Sequence, residues 1–577
     1  MDLAAVVAEL KRSPDTFGRL IREQAERIPD RPALKFEHET VGYGAYNAEV
    51  NRLAALLARS GVGAGTVVAV LCQNSPRFLT ALGAVAKLGA VAALLNTHLD
   101  GAGLTHVLHA SNAGIGLADA HAVPALARVA GTHAVRFFAD VAAGEALPAD
   151  VHPLADALPA RADEPAMPEV RNADVFCYIY TSGTTGYPKP AIVRHIRFTL
   201  GGIGLAALLG LQPGETVYAP LPLYHGESLF VGFAPAFRSG GAFASRRAFS
   251  ASAFLDDVRR HQAVAFVYVG ELCRYLLRQP PTPHDRDHVL RVAAGAGLRA
   301  DVWRAFQDRF GIPRIIEMYG ATEGNVALQN LDGRVGSVGK PYAEGQVELA
   351  RYDHTRGDLA RDARGFCIPC VPDEAGELLG RIEHGHGGGT MEYDGYTDRA
   401  ATERKVLRDV FAPGDAWFRS GDLLRRDGEG YYYFVDRLGD TFRWKGENVA
   451  TQEVADVLNR APGVSETNVY GVLVPGQEGR AGMAAVVLQP EAAFDAAAFH
   501  AHATRHLPRY ATPAFVRVVR EMEVTGTLKQ RKAALAADGY DPGRVADPLF
   551  VRDDAAGTYV PLTASLLAEI AAGRYRL

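Results

Sequence analysis

AVAFVYVGELCRYLLRQPPTPHDRDHVLRVAAGAGLRADVWRAFQDRFGIPRIIEMYG, residues 263–320, alternates apolar runs with helical stretches. The runs at 263–270, 289–297 and 314–320 are continuous rather than alternating, and helices are predicted near Leu272–Leu277 and Arg299–Phe310. Continuous apolar strands separated by helices belong to parallel sheets covered on both faces, so the fold class is α/β with doubly wound sheets. Toward the amino terminus the same succession recurs as ALKFE, then VVAVLCQN, then a helix over about Pro76 to Leu88. From about 336 to 435 helical periodicity fades, and Gly, Asp and Tyr punctuate short runs such as GELLGRI and YYYFV, which predicts a small β-rich subdomain. After Asp436-Arg437-Leu438-Gly439 a compact α/β pattern restarts. The expected organisation is a large N-terminal domain over 1–437, carrying that β-rich subdomain, and a small mobile α+β C-terminal domain over 438–577. The alanine-rich stretch 116–168 reads as helices and loops under little constraint.

Bulk composition excludes several classes. A chain of 577 residues exceeds the roughly 250–300 at which a single core stops growing. Its formal charge of -5 supplies no basic field, so nucleic acid is not an expected partner. The most apolar window, Ala81–Leu95, contains Lys87 and is shorter than the roughly 20 residues of a spanning helix. The amino terminus lacks a basic segment followed by an apolar core, and the five cysteines are an odd number in a long chain. Cytoplasmic residence with reduced thiols is expected. Peripheral membrane contact and a homodimer are left open.

The chemistry begins at residues 178–189, YIYTSGTTGYPK, immediately after the apolar run VFCYIY. Gly183 and Gly186 allow backbone N–H groups to turn inward. The hydroxyls of Thr181, Ser182, Thr184 and Thr185 can donate to oxyanions, and Lys189 supplies a cation, which together make a phosphate cradle. The spacing is not that of the P-loop, which needs four residues between its glycines.

TSGTTGYPK resembles the phosphate-binding signature of the adenylate-forming superfamily, which comprises acyl-CoA synthetases, peptide-synthetase adenylation domains and luciferases. Within it, FSASAFLDDVRR (249–260), GELCRYLL (270–277), GLRADVWRAF (297–306), MYGATEGNVAL (318–328), DRLGDTFRWKGENVAT (436–451) and the tail 538–577 resemble the fatty-acid-transport-protein or very-long-chain acyl-CoA synthetase branch over nearly the whole chain. The resemblance implies ATP, Mg²⁺ and coenzyme A as cofactors or co-substrates, and a bulky hydrophobic carboxylic acid, fatty or terpenoid or steroid, as substrate.

Residue roles follow from that resemblance. Gly295, Ala296, Gly297, Glu317, Met318, Tyr319 and Gly320 would line the nucleotide site, with Tyr319 against adenine. Thr322 would bond the α-phosphate, while Glu323 and Thr184 would hold Mg²⁺, a hard cation suited to carboxylate and phosphate oxygens. Asp422 and Arg437 would grip the ribose. Lys529, in TGTLK, would be the mobile catalytic lysine, stabilising charge that builds on the α-phosphate, with Lys532 its rival. Gly439 would be the hinge, and Lys445, Gly446 and Glu447 would line the CoA tunnel. Leu221-Pro222-Leu223-Tyr224-His225 would flank the acid, with His225 beside its carboxylate.

Three departures lie near this chemistry: Pro190 after the loop lysine, Gly226-Glu227-Ser228 after His225, and Ala296 where relatives carry asparagine. They leave room for a specialised ligase that thioesterifies a preformed acyl-adenylate. The same motifs admit an acyl-AMP ligase that loads a carrier protein, and also a hydrophobic-acid binding or transport module. Cys367-Ile368-Pro369-Cys370 has the spacing of half a zinc site or a redox pair, but no second pair follows at ligand spacing, and His384-Gly385-His386, which invites a metal reading, is read instead as part of a flexible Gly-rich loop.

Overall fold

In the computed structural model the described residues are 3–181, 187–323, 325–354, 356–382, 393–524, 530–575 and 577. Two compact units emerge: Met1–Val347 with Gly380–Phe418, and Glu348–Leu379 with Arg419–Leu577. The chain passes between them within the strands Val347–Asp353, Ala375–Arg381 and Ala416–Arg426.

The first unit holds two large sheets. One has nine strands in the order Lys340–Pro341, Ala327–Asn330, Arg314–Gly320, Val292–Ala296, Ala263–Val269, Thr216–Tyr218, Ala242–Ser245, Pro32–Phe36 and Glu39–Gly42. Its inner strands are parallel and its edge pairs antiparallel. The helices Gly270–Arg278 and Ala300–Phe310 connect the strands that the opening stretch predicts. The helix Ala300–Phe310 ends on Gly311, whose φ of 65° is the left-handed cap that glycine adopts without strain.

The second sheet has seven strands in the order Val151–Pro153, Arg136–Asp140, Ile115–Asp119, Val67–Leu71, Val91–Leu94, Val175–Thr181 and Lys189–Arg194. Three of these come from the alanine-rich stretch around 116–168, which corrects the expectation of helices and loops there. Alanine and glycine carry little strand propensity of their own, but in a parallel sheet buried on both faces burial decides the matter. Ala118 and Ala139 are both in the core.

Two devices tie the sheets together. Phe17, Phe176, Phe198, Phe233 and Phe237 form one cluster around Phe17, with centroid separations of 6.1, 4.6, 5.5 and 5.5 Å to the other four. Tilted and edge-on pairs of this kind contribute beyond their buried area. Asn74, buried just after Val67–Leu71, donates from Nδ2 to the carbonyls of Leu221 at 2.8 Å and Arg246 at 3.2 Å, and accepts the Leu223 N–H at 2.8 Å. One amide thereby satisfies a carbonyl and an N–H of the LPLYH segment.

In the second unit, the strands Val464–Val472, Ala481–Leu488, Phe515–Val519, Leu549–Asp553 and Thr558–Pro561 form a five-stranded sheet in that order. The helices Thr451–Leu458 and Ala496–His506 cover it, and the core contains Leu458, Met483, Phe499, Val516 and Val551. Among its described residues the stretch 336–435 carries strands of two to eleven residues and a single five-residue helix, Arg399–Glu403, as its loss of helical period predicts. No helix among the described residues is long and apolar enough to cross a membrane.

His195, which starts the helix His195–Leu209, is fully buried, and neither ring nitrogen has a hydrogen-bond partner. Burial pulls its pKa down to about 3. An unfolded histidine titrates near 6.5, so between those values the unfolded chain binds the extra proton and stability falls as pH falls. His195→Phe is expected to remove this term. Against the wild type, its urea midpoint should resist acidification from pH 6.5 to 5 by up to about 1.4 kcal/mol per pH unit.

Candidate functional site

The carboxyl ends of three neighbouring strands converge. Glu317, on Arg314–Gly320, is fully buried and accepts N–H bonds from Gly297 and Leu298, the latter at 3.0 Å. The Tyr268 hydroxyl donates to its other oxygen at 2.6 Å. Burial pushes the Glu317 pKa up to about 8, against the opposing effect of the three donors. The side chain of Glu317 therefore shapes the turn after Ala296 from behind. The adjoining residues Ala296, Met318, Tyr319 and Gly320 face a cavity. Close backbone approach makes the glycines obligatory: a Cβ on Gly270 would lie 1.8 Å from the Gly297 carbonyl oxygen, and one on Gly295 would lie 2.1 Å from that of Tyr268.

Beyond Gly320 the chain turns through Thr322 and Glu323. The Tyr396 hydroxyl donates to Glu323. Tyr396 is placed by backbone pairing alongside Lys189–Arg194: Ile192 N–H bonds the Gly395 carbonyl at 2.9 Å, and Thr397 N–H that of Pro190 at 3.1 Å. Thr181 and Lys189 face each other as the last pair of their hairpin. Ser182, Gly183, Thr184, Thr185 and Gly186 lie outside the described residues, so the structure brings Glu323 to the base of the predicted phosphate loop and says nothing of its tip. Sequence reasoning missed Tyr396 because a tyrosine in a Gly-Asp-rich stretch carries no spacing signal.

The cavity has a volume of about 730 Å³ and is lined entirely from the first unit. Its polar lining includes His225, Glu227, Thr322 and Glu323. Its apolar wall is one face of His195–Leu209, with Leu200, Gly201, Gly204, Leu205 and Leu208 at helical spacing. Opposite stand Phe230 and Val231 from the seven-residue π-helix Glu227–Phe233. A Cβ on Gly204 would meet nothing within 4 Å. Arg197, also unforeseen from sequence, lines the cavity and donates to the Thr322 carbonyl at 2.5 Å.

In the second unit Asp422 and Arg437 are cross-strand partners, with their charged groups 3.7 Å apart. Gly439 sits in the turn following Arg437. Lys445 and Gly446, with φ of 51° and 85°, are the two turn residues of a tight hairpin in which Trp444 faces Glu447. The Lys445 ammonium reaches the Leu577 carbonyl and lies 5.3 Å from the Trp444 ring. Lys529 is outside the described residues. Its rival Lys532 is engaged by Asp440 at 3.1 Å and by the Thr451 hydroxyl at 2.5 Å.

The chain matches the AMP-binding enzyme family over residues 21–381 and that family's C-terminal domain over 453–529. A medium/long-chain-fatty-acid–CoA ligase of Mycobacterium tuberculosis is 42% identical over 568 residues, covering 97% of this chain and 92% of the relative. Long-chain fatty acid transport protein 2 of Rattus norvegicus is 38% identical over 583 residues, covering 97% and 91%. In fold, the chain is similar to an anthranilate CoA ligase solved with anthranoyl-AMP, with a TM-score of 0.75 at 21% identity, covering 90% of this chain and 96% of that one.

Glu317→Gln should keep the turn after Ala296, since an amide oxygen can still accept the Gly297 and Leu298 N–H bonds. In the wild type the folded carboxyl keeps its proton up to about pH 8, while the unfolded one loses it near 4.5, so the glutamate's contribution declines as pH rises between those values. The variant is expected to lack that decline when denaturation is followed from pH 5 to 8.

Proposed function

This chain belongs to the AMP-binding enzyme family, and on that premise we propose that it activates a medium- to long-chain carboxylic acid as its CoA thioester. It is an acid–thiol ligase of the AMP-forming kind, an acyl-CoA synthetase. The observation that carries the choice of acid is the cavity, whose largely apolar lining also holds His225, Thr322 and Glu323. An apolar pocket with a few convergent polar groups suits an apolar chain with one reactive head. The 42% identical ligase, named for medium- and long-chain fatty acids, supports the same reading.

The reaction proceeds in two displacements. An oxygen of the carboxylate attacks the α-phosphorus of ATP and pyrophosphate leaves, giving the acyl-adenylate. The CoA thiol, on losing its proton, then attacks the acyl carbon and AMP leaves. In our reading Tyr319 lies against adenine, Thr322 bonds the α-phosphate, and Asp422 and Arg437 form the ribose clamp. The loop from Thr181 to Lys189 cradles the phosphates, and Lys529 stabilises the charge built on the α-phosphate. Mg²⁺ suits Glu323, whose carboxylate is oriented by Tyr396, with Thr184 as its hydroxyl partner. When bound, the cation supplies neutralising charge to phosphate oxygens. Gly439 is the swivel that brings the hairpin of Lys445, Gly446 and Glu447 to the pantetheine in the second step. All five cysteines are buried free thiols, which suits work in the reducing cytosol.

Supplying ATP, Mg²⁺, CoA and saturated acids of graded length, and resolving the thioesters by mass, tests the function. Thioesters of long-chain acids are expected, and failure with every acid would overturn it. Lys529→Ala should lower carboxylate-dependent ATP–pyrophosphate exchange about 10²–10³-fold, the cost of losing one group that stabilises a transition-state charge. Gly204→Phe places a ring in open cavity space, and the preferred acid should shorten by several carbons in the same chain-length series.

A further inference from the structure

Arg197 is a cation set into the wall of an otherwise largely apolar cavity. Its guanidinium donates to two backbone carbonyls, that of Thr322 at 2.5 Å and that of Ala321 at 3.5 Å. Neither acceptor carries a charge. Among the described residues no carboxylate lies within ion-pair distance of it, and the two whose fields reach it are already committed. Asp394 is paired with Arg194 at 2.6 Å, and Glu323 accepts the Tyr396 hydroxyl. Glu227 also lines the cavity, but its field falls on Glu317 and Tyr268. A half-buried guanidinium in an apolar wall with no carboxylate in contact is costly to keep, and an anion bound in the cavity would offset that cost. A guanidinium also has five N–H donors in a rigid fork, of which two carbonyls leave three to spare.

We infer that Arg197 anchors the carboxylate of the acid substrate, holding it beside Thr322 for attack on the α-phosphorus. The inference rests on the synthetase reading above and deepens it, because no role in the site reading falls on this residue. The anchor suits the first displacement in particular. The free acid carries a full negative charge, which an apolar cavity would otherwise repel. The acyl-adenylate has lost that charge from its acyl carbon, so the second displacement does not need the anchor.

Arg197→Gln and Arg197→Lys separate anchoring from folding. With Arg197→Gln, the KM for a long-chain acid should rise about tenfold or more, the loss of a charge-assisted hydrogen bond, while the KM for ATP stays within about twofold. Arg197→Lys, which keeps the charge, should recover part of the loss. A synthetic acyl-adenylate of the same chain, supplied with CoA, should be converted by the glutamine variant with a far smaller deficit than the free acid. Calorimetric binding supplies a readout independent of turnover: the wild type should favour dodecanoate over dodecanol, and Arg197→Gln should lose that preference. An equal loss in both half-reactions, or a dodecanoate preference that survives in Arg197→Gln, would overturn the anchor and leave the synthetase reading standing. A wild type that makes no thioester from any acid but still prefers dodecanoate would overturn that reading and not the anchor.

Discussion

The carboxyl group of Glu317 is sealed from water, and three hydrogen-bond partners compensate for that: two backbone N–H groups of the turn after Ala296 and the Tyr268 hydroxyl. The arrangement constrains three parallel strands at once, because it fixes where one strand stops, how the next one turns and what fills the space between them. Gly270 and Gly295 are its steric counterpart, since side chains there would collide with the carbonyl oxygens of Gly297 and Tyr268. With that corner set, Met318, Tyr319 and Gly320 at the end of the strand line the cavity.

From that corner the site extends by a second rule, that buried backbone must be satisfied. Asn74 binds the LPLYH segment to the other sheet, which places His225 in the polar lining of the cavity. Backbone pairing of 395–397 against the strand Lys189–Arg194 delivers Tyr396 to Glu323. Neither asparagine nor tyrosine performs chemistry here, yet each decides the position of a residue that does in the proposed reaction. The wall of the cavity follows a different logic. Helix His195–Leu209 carries three glycines close together, Gly201, Gly202 and Gly204, and they serve different ends. Gly202 packs against the Ala234 carbonyl and Arg238, whereas Gly204 opens onto space.

Much of the fold was legible because parallel strands announce themselves as unbroken apolar runs: 263–269, 292–296 and 314–320 fall within the predicted segments. The strands at 115–119, 136–140 and 151–153 were not, because IGLAD, RFFAD and VHP are runs of three to five residues set among alanines, and only burial between layers singles them out as strands. At the site, the pairing of Asp422 with Arg437 was legible as two residues and invisible as a register. Lys445 and Gly446 were legible as a loop, but that they form a hairpin turn with both φ positive depends on the strands flanking them.

By itself the sequence determined the class of layered α/β protein, the order of the chemistry-bearing segments and the type of group each could offer. Periodicity and residue type are local properties, and they survive without a folded chain. Only the tertiary structure decided which side of Glu317 does the binding, that Tyr396 orients Glu323, and that Arg197 stands in the cavity wall with carbonyls rather than carboxylates for company. Those outcomes depend on contacts between residues 20 to 125 positions apart, and on the desolvation that those contacts impose, which no local pattern encodes.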